Sequence, residues 1–327
     1  MAASAVTRAP ISRIDRIRPF APAIVLVIVF VVIGLVAPAF LSINNLVRIM
    51  NASAIPLCLA LGATFIILMG SIDLSVEGVV AMGAVATALL VQNGVNGSDL
   101  GFFAIPLVLL MGAAFGFVNG FVHVRLQIPS FMVTLGMSFI AIGIATVMLA
   151  GQRVRILDTG FRDLALGRFL GIPMGVWIAI AAALVAYVVQ TRTRLGRWIY
   201  AVGGGEDILR LTSVPVGRVR VLAFTLAGTF YGLGGLLSAA QLGQGHALMG
   251  QGRLFTTITA VVVGGTALMG GQGGVQNTVI GVLIVVGLAN GMVLMGVPPY
   301  VQTGVQGLLI IAAVAMAADR SRSRIVK

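Results

Sequence analysis

Residues 70–78 read GSIDLSVEG. They set two carboxylates, Asp73 and Glu77, between the apolar runs LALGATFIILM (59–69) and VVAMGAVATALL (79–90). A carboxylate at the centre of a bilayer costs at least about 2.5–3.5 kcal/mol. The stretch is therefore either a short polar loop at a membrane surface or a pair of acids at work inside it.

Composition decides that a membrane is involved. Of 327 residues, 59% are hydrophobic and only 9% charged, and the mean hydropathy is +1.08. A soluble domain of this size could not hide so much apolar surface, so an all-α integral membrane protein is expected. The 43 glycines suit close helix packing in lipid. The single cysteine, Cys58, lies in an apolar run and excludes an intrachain disulfide or a cysteine-based zinc cluster. A net charge of +12 would suggest nucleic acid for a soluble chain. Here the arginines gather in a few polar segments, which points to membrane orientation and to no nucleic-acid partner.

Apolar runs predict about ten transmembrane helices, at 20–39, 49–69, 75–92, 102–122, 131–150, 172–190, 220–240, 256–271, 275–295 and 300–318. Counting charge with both termini cytoplasmic puts most of the 21 Lys and Arg residues inside. Only Arg48, Arg153, Arg155, Arg162, Arg168 and Arg253 fall outside. The chain then divides into a basic cytoplasmic segment 1–19, one transmembrane domain 20–318 and a basic tail 319–327. The run at 20–39 follows a basic leader without a small-residue cleavage site and reads as a retained first helix.

Two of these runs are poor spans, 75–92 with Ser75, Glu77 and Gly78, and 256–271 with its threonines and GGTALMGG. The stretches after them resemble one another. FGFVNGF (115–121) precedes IPSF (128–131), and VGLANGM (286–292) precedes VPPY (297–300). The pairing predicts an inverted repeat of spans 2–5 and 7–10, with interrupted segments that point to a transport pathway. Gly112, Gly116 and Gly120, then Gly228 and Gly232, then Gly287 and Gly291, recur every four residues and read as helix-packing stripes.

The longest cytoplasmic segment, residues 191–219, contains GRWIYAVGGGEDILRLTSVPV (196–216). Its glycines are expected to break the chain before a short amphipathic helix that starts at Glu206 and Asp207, carries Arg210 and Leu211, and ends at Pro215. Such a helix suits docking into a groove of a partner; an ordinary connector is the other reading.

Five stretches in order, GSIDLSVEG, IPSFMVTLGM (128–137), GRWIYAVGGGEDILRLTSVPV, VVVGGTALMGGQGG (261–274) and VPPYVQTGVQGLLIIAAVAM (297–316), resemble the ribose/xylose-type sugar permeases of bacterial ABC importers. The resemblance runs from about residue 40 to 318. It implies a multi-pass subunit of the bacterial inner membrane that builds a homo- or heterodimeric pore for a monosaccharide or similar polyol. It also implies two cytoplasmic ATPase subunits that hold ATP and magnesium, and a periplasmic or lipid-anchored sugar-binding protein. This chain would then be no enzyme and bind no cofactor. It contains no Gly-rich, Lys-Ser/Thr nucleotide loop, and no nucleophile motif or His/Asp/Glu metal constellation.

By the same resemblance, Gly203, Gly204, Glu206, Asp207, Arg210 and Leu211 are the expected ATPase contacts. The family shows Asn where Gly205 stands, and Gly where Glu77 stands. The residues themselves offer Asp73, Ser75, Glu77, Asn119, Thr257 and Asn290 as lining of a translocation pathway. Asp73 alternatively caps the third span. Glu77 either lines the mouth of the pore or pairs with an arginine such as Arg125. Arg162, Asp163 and His246 lie in outer loops that could meet a binding protein. An ion-coupled secondary transporter, with Asp73 and Glu77 as its proton or sodium site, is the competing reading.

Overall fold

The computed structural model describes residues 20–210 and 214–317. Segment 1–19, Leu211 and the tail 319–327 lie outside the described residues. The chain is all-α, with four two-residue strands at one end. The helices are α1 (Ala21–Val36), α2 (Ile43–Leu68), α3 (Val76–Leu90), α4 (Ala104–Leu126), α5 (Ser130–Met148) and α6 (Thr159–Leu166). They continue as α7 (Met174–Arg192), α8 (Arg194–Arg210), α9 (Val216–Leu242), α10 (Arg253–Val263), α11 (Val275–Leu294) and α12 (Pro299–Ala317). Among the described residues, six helices are long and apolar enough to cross a membrane, so this is a multi-pass membrane protein.

The helices sort by what surrounds them. In α2, 78% of the most apolar window is buried inside the protein, against 22% for α4, although both are strongly apolar. A helix apolar on all sides must sit in protein or in lipid. Helix α2, with α3 and α9, forms the centre, while α4, α5 and α7 turn residues such as Leu110, Phe139 and Leu184 outward.

Glycine stripes set the closest approaches. A Cβ on Gly112 would strike the Gly228 carbonyl, and one on Gly116 the Phe224 carbonyl, so the backbones of α4 and α9 touch. Gly287 and Gly291 of α11 receive Phe30 and Ile33 of α1. Packing within the chain therefore accounts for all three stripes. Across α2 and α11 the buried hydroxyls of Thr64 and Thr278 meet at 2.6 Å, an interhelical hydrogen bond of the kind membrane bundles use.

The two ends differ. At one, β1 (Val154–Arg155) pairs antiparallel with β4 (Gln244–Gly245), and β2 (Arg168–Phe169) pairs with β3 (Ile172–Pro173). Helix α6 packs beneath them, and its Phe161 stacks on Phe102. We call this the ribbon end. At the other lie α8, the 127–129 connection and the Gly-rich loop 264–274, where Gly203 abuts Leu68 and Gly271.

Two expected boundaries are corrected. The run 256–271 is not one span: α10 stops at Val263, and Gly265, Gly270, Gly271 and Gly273 take positive φ that few other residues adopt. Gly203 and Gly204 do not break the chain either, because α8 continues through them and leaves helical geometry only at Gly205.

Candidate translocation site

Helices α3 and α10 are, with α1, the shorter apolar helices of the bundle. Fifteen and eleven residues give about 22 and 16 Å at 1.5 Å per residue, below the roughly 30 Å hydrocarbon thickness. They start side by side. The Glu77 carboxylate, in the first turn of α3, accepts the N–H of Gly252 at 2.9 Å and that of Leu254 at 3.3 Å, at the start of α10. A Cβ on Gly250 would strike the Glu77 backbone. From this junction α3 runs to the ribbon end, where Ala84 and Ala88 meet Gly245, and α10 runs toward the α8 end. Glu77 is thus an N-cap supplied from another helix, anionic at the positive end of α10. The pairing with Arg125 does not occur: the carboxylate is taken by backbone N–H groups instead.

The chain before α3 is non-helical over 71–75, and its donors must find partners in a dry interior. Helix α5 supplies them. Ser130 Oγ accepts from Ile72 N (3.2 Å), Thr134 Oγ1 from Leu74 N (2.9 Å) and Ser138 Oγ from Gly78 N (3.2 Å). The spacing is geometric. Four helical residues advance about 6.0 Å and two extended residues about 6.6 Å, so hydroxyls at i and i+4 meet N–H groups at j and j+2.

Asp73 sits under this ladder, buried. Its Oδ1 accepts from Ser75 N at 2.8 Å and Ser75 Oγ at 2.6 Å, a local turn of the Asx kind. Asn119 of α4, fully buried, donates to Ser75 Oγ at 2.9 Å while its own Oδ1 finds no partner. The buried Tyr231 hydroxyl of α9 faces Asp73. Asp73, Ser75 and Asn119 therefore form one cluster. Thr257 is buried and donates to Arg253 O at 2.7 Å within its own helix. Asn290 is elsewhere: its Oδ1 accepts from Asn45 Nδ2 at 2.9 Å, at the start of α2.

At the α8 end, Tyr200 donates to Gly273 O at 2.6 Å, and Gln190 accepts from Val275 N at 2.7 Å. Gly203 is pinned by Leu68 and Gly271, whereas Gly204 is open. Glu206 is ion-paired with Arg220 of α9, and Arg220 Nη1 contacts His123 Nε2 at 3.0 Å. These three residues line an open cavity of about 740 Å³ between α4, the 127–129 connection, α8 and α9. Asp207 and Arg210 lie on the last turn of α8. At the ribbon end, Arg162 packs on Gly243, Asp163 is exposed, and His246 is half-buried beyond β4.

Three features escaped the sequence reading: the α5 hydroxyl ladder, the Arg220–His123 contact behind Glu206, and Arg253 at the junction. The ladder had a signal, hydroxyl residues at 130, 134 and 138, one per helical turn.

The sequence matches known proteins. Residues 45–314 match the family described as branched-chain amino acid transport system / permease component. The chain is 35% identical over 276 residues to a ribose import permease protein of Escherichia coli K12, covering 82% of this chain and 84% of the relative. It is 34% identical over 293 residues to a D-allose transport system permease protein of the same organism, with 89% of each covered. It is 33% identical over 273 residues to a ribose import permease protein of Bacillus subtilis, covering 83% and 84%. No solved structure matches. Covering most of its length and most of theirs, these matches show that the chain belongs to the branched-chain amino acid transport system / permease component family.

Proposed function

We propose that this chain is the membrane-spanning permease subunit of an ABC importer for a monosaccharide or similar polyol. The observation that carries the reading is the head-to-head junction of α3 and α10 through Glu77, in a chain whose relatives are named as ribose, allose and arabinose import permeases. Broken helices whose N-termini meet inside a bundle are a recurring plan for moving polar solutes through lipid.

The repeat gives the plan its shape. Helices α2 to α5 have 26, 15, 23 and 19 residues; α9 to α12 have 27, 11, 20 and 19. Helix α3 packs on α5 as α10 packs on α12, and α4 packs on α9 as α11 packs on α2. An inverted pair of four-helix units accounts for both patterns. The protein then has ten membrane helices, two of them partial, with both termini on the α8 side in the cytoplasm of a bacterial inner membrane.

Helix α8, with Gly203, Gly204, Glu206, Asp207 and Arg210, faces the ATPase that holds ATP and magnesium, and Leu211, next in sequence, is assigned to the same contact. The ribbon end, with Arg162, Asp163 and His246, faces the sugar-binding protein. A second permease copy completes the pore. Against an ion-coupled transporter, both acids already serve the protein's own N–H and O–H groups.

The test is uptake of labelled D-ribose, D-allose and L-arabinose by cells that lack their own importers and express this chain with its candidate ATPase and binding protein. ATP-dependent uptake, with ATPase co-purification lost in Arg210→Glu, is the expected result. Sugar movement down an ion gradient, by the chain alone in liposomes, overturns it.

A further inference from the structure

Beside the junction of the two short helices lies a second cavity, of about 350 Å³, between α2, α10, α11 and α12. Its lining is mixed: Gln251, Arg253, Thr256 and Gln306 are polar, and Pro56 and Val285 are apolar. The volume falls within the range of small-molecule sites.

Arg253 is placed at an electrostatic disadvantage. It is the first residue of α10, so its charge sits at the positive end of that helix. It is half-buried, and among the described residues it forms no ion pair. Its Nε donates to Met249 O at 3.2 Å, but no described residue accepts from its terminal nitrogens. Glu77, the acid at this junction, is engaged by the N–H groups on either side of it. The neighbouring groups complete a mixed set. Thr256 donates to Arg253 O at 2.9 Å and keeps its lone pairs to accept, and each glutamine amide both donates and accepts.

We propose that this cavity is the transit site for the cargo, with Arg253 as its anchoring donor, Thr256 and Gln306 as its hydroxyl partners and the apolar lining as the surface for a sugar's C–H groups. Paired donors and acceptors match hydroxyl groups, each of which also does both. The Glu77 carboxylate balances the Arg253 charge nearby, so the cargo is a neutral polyol rather than an anion. The Asp73–Ser75–Asn119 cluster is then the scaffold that holds α3 in place, and Thr257, one residue from Thr256, faces away from the cargo. The inference rests on the permease reading and narrows it to particular residues.

The chain's one cysteine, Cys58, is fully buried, so an introduced thiol can be followed alone. Thr256→Cys, Gln306→Cys and the control Phe255→Cys, whose parent side chain is 66% exposed on the outer side of α10, are placed in the full complex in proteoliposomes. Each is treated with a charged methanethiosulfonate reagent, with and without D-ribose, D-allose or L-arabinose, and with sulfate as the anion probe. The expected result is labelling of Thr256→Cys and Gln306→Cys that at least one sugar slows several-fold and sulfate does not, with Phe255→Cys indifferent to sugar. No labelling of either cavity variant, labelling that no sugar slows, or protection by sulfate alone overturns the site. ATP-dependent uptake by the unmodified complex, measured in parallel, separates failure of this site from failure of the importer reading.

Discussion

The Glu77 carboxylate and the Gly252 N–H, 175 positions apart in sequence, meet at 2.9 Å and join the starts of two helices that run to opposite ends of the protein. Counting charges put residue 77 on the inside and residue 252 on the outside. Their contact means that both connections enter the bundle far enough to touch, and the shortness of α3 and α10 follows from it.

Glu77→Ala removes the acceptor for two N–H groups and should destabilise the protein by about 1–2 kcal/mol, the usual loss for a helix cap. Glu77→Gln keeps a carbonyl oxygen there, loses only the interaction of charge with the helix dipole and should cost roughly half as much. Thermal unfolding midpoints in one detergent check the order: wild type, then Gln, then Ala. Equal midpoints for the three would remove the cap from the account.

Thr134→Val deletes the hydroxyl that receives Leu74 N. A buried donor left unpaired costs about 1–3 kcal/mol, and the loss should appear as faster proteolysis or hydrogen exchange at residues 70–78. Thr146→Val is the control, because Thr146 is exposed and donates only within its own helix. It should change stability by less than about 0.5 kcal/mol.

Much of this architecture was legible in the sequence, because apolar runs of spanning length have few other uses, and six of the described helices are long and apolar enough to cross a membrane. The junction was not legible. Its donors are backbone N–H groups, which every residue carries, and its acceptor comes from another helix, so no local pattern announces it. Burial was equally hidden: lipid and protein interior select the same residues, and α2 and α4 read alike although one is central and the other peripheral. Arg253 was read as one more outer-loop cation because its run was drawn as a full span from residue 256.

Gly116→Ala places a Cβ against the Phe224 carbonyl, and neither backbone can yield without parting α4 from α9. Overpacking of this kind costs about 1–3 kcal/mol or more, so the variant should lose most of its folded yield by size-exclusion chromatography. Gly136→Ala, where nothing lies within 4 Å, should express as wild type or slightly better, since alanine favours a helix.

His246, outside the spans, has its pKa lowered from 6.5, first by burial and then by the positive charge of Arg153. The unfolded chain therefore takes up a proton at higher pH than the folded one. Stability from this residue is complete above about pH 6.5 and declines as pH falls through that value. Midpoints taken between pH 7.5 and 5.5 should drop, and His246→Gln should flatten part of the drop. A steeper slope in the variant would contradict the assignment.

The ion pair between Glu206 and Arg220 ties the segment after the Gly205 kink to the base of α9, and Arg220 carries the tie on to His123 of α4. Helix α9 in turn bears Tyr231, which faces Asp73, and packs its glycines on α4. A push on the end of α8 thus has a continuous path of packed groups to the broken segment. Glu206→Gln should cost about 1–2 kcal/mol, since the partly exposed pair lies between surface and buried cases. In the assembled complex it should leave basal ATP hydrolysis near wild type and reduce its stimulation by sugar-loaded binding protein. Arg220→Gln should act in the same direction, and the double variant should be no worse than either single one, as expected of two residues in one interaction. Additive losses would mean that the two side chains act separately and that the path does not run through their contact.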